Sequence, residues 1–112
     1  TVRGVRAAVS ALIASAALAA APASAGAQQA CPGTVDVAYG FAVKATNCAL
    51  GRAVAREWLR AVGQRKCSRR RCAVARFSCR TAGQDTVEGA VVTYDVICRR
   101  GVRTVTWTVS VD

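Results

Sequence analysis

Histidine is absent from this 112-residue sequence. Its absence removes Ser-His-Asp and Cys-His nucleophilic catalysis, histidine-dependent ribonuclease chemistry and His-ligated zinc. Acids are scarce as well, with six Asp and Glu against 16 Lys and Arg. A glycosidase needs two carboxylates facing a cleft, one of them kept protonated by its surroundings. Here Asp112 is terminal, and Asp36, Asp85 and Glu88 fall in expected loops or on a short edge strand. Asp95 is left alone on a threonine-rich strand face. There is no glycine-rich phosphate loop. The chain is therefore expected to be no enzyme and to need no cofactor or metal.

Long apolar runs are missing too. The longest, Ala7 to Ala21, has about 15 uncharged residues and is mostly alanine, short of the roughly 20 that span a bilayer. Arg3 and Arg6 precede it, and Pro22 with Ala23-Ser24-Ala25 follows. A positive start, an apolar middle and a small-x-small site make up a secretory signal peptide. We expect residues 1–25 to be that leader, cleaved near Ala25, with Ala25-Gly26-Ala27 as a second site. The protein is then exported and keeps no membrane span. A lipid anchor does not fit, because Cys31 follows Gln28-Gln29-Ala30 rather than a Leu-x-small-small stretch.

From Gly26 on, 87 residues remain, and they hold all six cysteines: Cys31, Cys48, Cys67, Cys72, Cys79 and Cys98. A chain that short has a thin core, and disulfides commonly supply the missing stability. An even count in an oxidising compartment reads as three bridges. Fifteen connectivities are open. The expectation is that Cys48 and Cys67, at the two ends of a helix, reach the sheet cysteines Cys79 and Cys98. A four-thiolate zinc site on Cys67, Cys72, Cys79 and Cys98 would need reduced sulfur and lacks the usual Cys-x-x-Cys spacing.

Residues 26–33 read as a flexible lead-in and 34–112 as a single small domain. Val35, Val37 and Tyr39 alternate as a short strand, which Phe41 to Ala45 extends. Asn47 offers a helix N-cap. Leu50, Val54, Trp58 and Ala61 then recur at helical spacing, and Arg52, Arg56 and Arg60 form a second stripe. Gly63 is the expected stop, giving a helix over 48–62. Alternation from 73 to 80 predicts a strand, and Thr81 to Gly89 a turn-rich loop. Residues 90–99 and 102–111, rich in Val, Thr and aromatics, form a hairpin about Arg100-Gly101. That turn sets Val96 opposite Val105 and Tyr94 opposite Trp107 on one apolar face. The expected fold class is α+β: one helix packed on a three- to four-stranded antiparallel sheet, stabilised by disulfides.

From Asn47 to about residue 109 the order of features resembles functionally uncharacterised small secreted cysteine-containing proteins of high-GC Gram-positive bacteria. The resemblance rests on the helix Cys48-x-x-x-Arg52-x-Val54-x-x-x-Trp58. Phe77-x-Cys79, Val96-x-Cys98-x-x-Gly101 and a strand with Val105 and Trp107 complete it. It implies export and a helix-plus-sheet fold, and it carries over no activity. Cys31 and the arginine-packed Cys67–Cys72 loop depart from the pattern.

With Arg3 and Arg6 removed, 14 basic and six acidic side chains remain, net +8, and all but two of the 14 are Arg. This suits an anionic partner: an envelope polymer, nucleic acid or an acidic protein. The one dense local feature is Cys67-Ser68-Arg69-Arg70-Arg71-Cys72. If bridged, it presents Arg69, Arg70 and Arg71 on a constrained turn, able to hold phosphates or an acidic polymer. The rival reading is a protease inhibitor whose loop enters the acidic pocket of a trypsin-like protease. A small secreted enzyme is a third class. The plain alternative is a solvated connector. Arg52, Arg56 and Arg60 read as the wet face of the helix, which joins a binding surface only if it lies beside the loop. Trp58 and Trp107 sit on apolar faces and read as core rather than as stacking platforms.

Overall fold

The computed structural model describes residues 27–111, so the stretch expected to be a leader, residues 1–25, lies outside the described residues. Its elements are β1 (Gln28–Cys31), β2 (Ala38–Lys44), α1 (Cys48–Gly63), β3 (Cys72–Val74), β4 (Phe77–Val87), β5 (Ala90–Arg100) and β6 (Arg103–Ser110). One antiparallel sheet holds all six strands in the order β1-β2-β6-β5-β4-β3, and α1 packs on one of its faces. The chain leaves the sheet at β2 and re-enters at the far edge, β3. Four strand spacings separate them, about 19 Å. Sixteen helical residues span about 24 Å, enough to carry the chain across. Among the described residues no helix is long and apolar enough to cross a membrane.

The helix forms where the apolar stripe and its caps agree. Asn47 accepts a hydrogen bond from the Leu50 amide at 2.8 Å, satisfying one orphan donor of the first turn. Gly51, Val54, Ala55 and Trp58 are buried against the sheet. The closest approach is at Gly51, where a Cβ would lie 2.8 Å from Val43 Cγ1. Gly63 is the last helical residue rather than the stop. The amides of Arg65 and Lys66 bond back to the carbonyls of Val62 and Ala61, closing a Schellman motif with Arg65 left-handed at φ 59°.

The core is an aromatic cluster set in valine. Trp58 meets Trp107 edge to face at 5.7 Å and Tyr94 at 6.2 Å, and Phe41 meets Trp107 at 5.9 Å. Val43, Val54, Val96 and Val105 fill the space between. Both tryptophans are core, as their apolar settings predict. Their indole nitrogens are buried and have no hydrogen-bond partner among the described residues.

The sheet is larger than the expected three to four strands. The stretch read as a strand over 73–80 is two strands, broken at Ala75-Arg76, both at positive φ as a tight hairpin turn demands. The loop read over Thr81–Gly89 is the upper part of β4, paired with β5 as far as Val87–Ala90. Its exposure on both faces erased the apolar alternation by which strands are recognised. Gln28–Cys31, inside the expected lead-in, pairs with β2 as an edge strand. Val35 only bridges to Ala38, where β2 begins.

The final hairpin is present, but its turn is Gly101-Val102, flanked by the Arg100–Arg103 pair. Gly101, at φ 61°, takes the first central position, the place where a type II′ turn favours glycine. Val96 therefore faces Trp107 and Tyr94 faces Val109. The shift is two residues, so every side chain keeps its expected face.

Three disulfides join Cys31 to Cys48, Cys67 to Cys72 and Cys79 to Cys98. The expected pairing of Cys48 and Cys67 with Cys79 and Cys98 is not found; Cys67 bonds instead to Cys72 at the start of β3. The register places Cys79 between Cys72 on β3 and Cys98 on β5, and it bonds to Cys98. Cys48 does reach the sheet, at the β1 cysteine.

Candidate functional site

The densest positive charge begins at the end of α1. Arg60, Arg65, Lys66, Arg69, Arg70 and Arg71 occur within twelve residues, with no acid among them. The Schellman turn reverses the chain after Ala61, and the Cys67–Cys72 bridge closes the loop. Inside it, Ser68 to Arg71 is a turn: the Arg71 amide donates to the Ser68 carbonyl and to Ser68 Oγ, each at 3.2 Å. The backbone is held twice, by covalent and by hydrogen bonds.

Its arginines do different things. The Arg69 guanidinium lies 4.9 Å from the centre of the Tyr94 ring, a cation–π contact that pins the loop to β5. Arg69 and Arg70 line a cleft of about 110 Å³ with Thr81, Gln84, Val91 and Tyr94. Arg70 and Arg71 are exposed. Arg65 and Lys66 are exposed too. They belong to the same basic run, and sequence reasoning passed over them because they lie between the helix pattern and the cysteine loop.

The helix stripe joins this surface only at its end. Arg60 is exposed and pairs with Glu57 at 2.9 Å, the one ion pair among the described residues. Arg56 is exposed, whereas Arg52 is partly buried and donates to the Pro32 carbonyl at 3.5 Å. At 1.5 Å per residue, Arg52 and Arg60 stand about 12 Å apart along the axis. Arg52 therefore belongs to the Cys31–Cys48 end and Arg60 to the loop end.

No charged side chain is buried among the described residues. The sulfurs of Cys67, Cys72, Cys79 and Cys98 are taken up in two disulfides, so the four-thiolate site is not formed. Among the described residues no group of three or more His, Cys, Asp or Glu is placed to hold a metal ion. Asp85 accepts from Thr93 Oγ1 at 3.2 Å, and Asp95 from Thr108 Oγ1 at 2.8 Å, both on the sheet face turned away from α1. No protein-family model, no curated protein and no solved structure matches this chain.

Proposed function

We propose that this chain is an exported, disulfide-braced binding domain that holds an anionic polymer at the C-terminal end of α1 and the Cys67–Cys72 loop. The observation that carries this reading is the acid-free run from Arg60 to Arg71, its loop held by a bridge and a turn. Guanidinium groups fit phosphate and carboxylate oxygens as planar forks. A loop ordered before binding loses less entropy when it engages. The burial of Trp58 and Trp107 favours recognition through charge over recognition by base stacking. Three disulfides suit an oxidising compartment, in keeping with the leader read at residues 1–25. The exposure of every carboxylate among the described residues supports binding over catalysis.

The test is polyphosphate binding across a salt series, read by anisotropy of the labelled polymer. Arg70→Gln with Arg71→Gln should weaken binding and lower the salt slope by about 2, one unit per lost contact. An unchanged slope sinks the proposal. Protease inhibition is the rival, supported by the closed arginine loop. A peptide enters such a cleft extended, pairing its backbone, whereas Ser68–Arg71 is a closed turn and Arg69 rests on Tyr94. Inhibition of trypsin that disappears on changing any one of Arg69, Arg70 or Arg71 would favour the rival.

A further inference from the structure

Nothing among the described residues covers the sheet face turned away from α1, and its register sorts that face into rows. One row crosses five strands: Ser78 on β4, Arg99 on β5, Thr104 on β6, Lys44 on β2 and Gln28 on β1. Each of these side chains is a hydrogen-bond donor, and two are cations. Arg99 and Lys44 flank Thr104 at two strand spacings, about 10 Å between backbones, which lets their long side chains converge on one anionic group. A hollow of about 60 Å³ opens beside Gln28, Lys44 and Thr104.

Higher on the same face the chemistry changes. Gly83, Asp95, Thr108 and Tyr39 share a row. Bulges interrupt β2 between Tyr39 and Ala42 and β4 between Thr81 and Gly83. Between them lies a shallow cleft of about 220 Å³, lined by Gly40, Ala82, Asp95, Ile97, Thr106 and Thr108. Asp95 Oδ1 is bonded to Thr108. Its Oδ2 lies beside Gly83, where a Cβ would stand 3.6 Å away. The Tyr39 side chain is 40% exposed beside this row. A carboxylate, two hydroxyls, an aromatic ring and an aliphatic side chain suit a sugar ring, which offers adjacent hydroxyls and an apolar C–H face. A cationic peptide suits it less, because Arg80, Arg99 and Lys44 share the face.

We infer that this open face binds a segment of an acidic polysaccharide. One ring sits against Asp95, Thr106, Thr108 and Tyr39, and a carboxylate further along lies between Arg99 and Lys44. Arg99 lies four residue steps along β5 from Asp95, about 13 Å, so the ligand is an oligomer rather than a single sugar. The surface is separate from the arginine loop and stands or falls independently of it.

The experiment is a titration of the ¹⁵N-labelled, oxidised chain with an oligogalacturonate tetrasaccharide, and with a neutral glucose tetrasaccharide in parallel. The uronate should shift the amides of Lys44, Asp95, Arg99, Thr104 and Thr108, and the neutral sugar only those around Asp95, more weakly. Asp95→Ala and the pair Lys44→Gln/Arg99→Gln should each weaken uronate binding about tenfold or more, with melting unchanged. Arg56→Gln, an exposed charge on the helix at the opposite sheet face, should leave it intact. Shifts confined to the 65–71 segment, no shifts with either sugar, or unchanged affinity in the open-face variants would each overturn the inference. Shifts of the Asp95 amide produced by oligo-arginine alone, at lower concentration than the uronate needs, would overturn it too, by marking that cleft as a cation site.

Discussion

Removing the disulfides one at a time should destabilise the domain in a definite order. Cys31–Cys48 spans 17 residues, Cys79–Cys98 spans 19 and Cys67–Cys72 spans five. Loop-closure entropy assigns about 3 kcal/mol to each of the two long loops and about 2 kcal/mol to the short one. Burial separates the two long loops. Cys79 and Cys98 are 1% and 0% exposed, whereas each of the other bridges has one buried sulfur, on Cys31 at the sheet edge or on Cys72, and one only partly buried, on Cys48 or Cys67. Replacing the central pair by alanine also empties core volume, adding about 1–2 kcal/mol. The expected losses are about 4–5 kcal/mol for Cys79→Ala/Cys98→Ala, about 3 for Cys31→Ala/Cys48→Ala and about 2 for Cys67→Ala/Cys72→Ala. A domain of this size loses about 4–8 °C per kcal/mol, so the three melting points should separate clearly. Urea unfolding followed by the fluorescence of Trp58 and Trp107, with thiol titration to confirm the remaining bridges, measures it. If the short-loop variant falls as far as the core variant, or if the fully reduced chain melts where the oxidised chain does, the reasoning is wrong.

Asn47→Ala should destabilise by about 1 kcal/mol through loss of the cap to Leu50, measured by chemical denaturation. Replacing Ala75-Arg76 by Asn-Gly should stabilise by about 1 kcal/mol, because both residues hold positive φ in the turn; an unchanged midpoint argues against that turn. Gly51→Ala should cost more in the native sequence than in Val43→Ala, with a coupling of about 0.5–3 kcal/mol, since its Cβ would press on Val43. Additive effects in that cycle would mean that helix and sheet are further apart. Trp58→Ala should cost about 3–5 kcal/mol and leave little folded protein in a thermal melt.

The amphipathic spacing of α1, its Asn47 cap and the opposed faces of β5 and β6 are local patterns, and they were legible. Period and capping act over a few residues, so each segment carries its own signal. Even the misplaced hairpin turn kept the right faces, because a shift by two residues preserves the alternation of a strand. The loop arginines were legible for the same reason: they are contiguous and lie between two cysteines.

Tertiary structure decided whatever depends on pairing between distant segments. β1 is an edge strand and the upper part of β4 is exposed on both faces. Their stability comes from backbone bonds to a neighbour, which leave no apolar imprint on the residues that make them. The disulfide partners are a tertiary outcome: the register sets Cys79 between Cys72 and Cys98, and its bond to Cys98 leaves Cys72 to Cys67 and Cys31 to Cys48. The separation of Arg52 from the basic loop follows from the length of the helix between them. Lys44 and Arg99, 55 positions apart in the chain, flank Thr104 only because β2, β6 and β5 are neighbours in the sheet. No local rule on 112 residues contains that adjacency, which is a property of the assembled sheet.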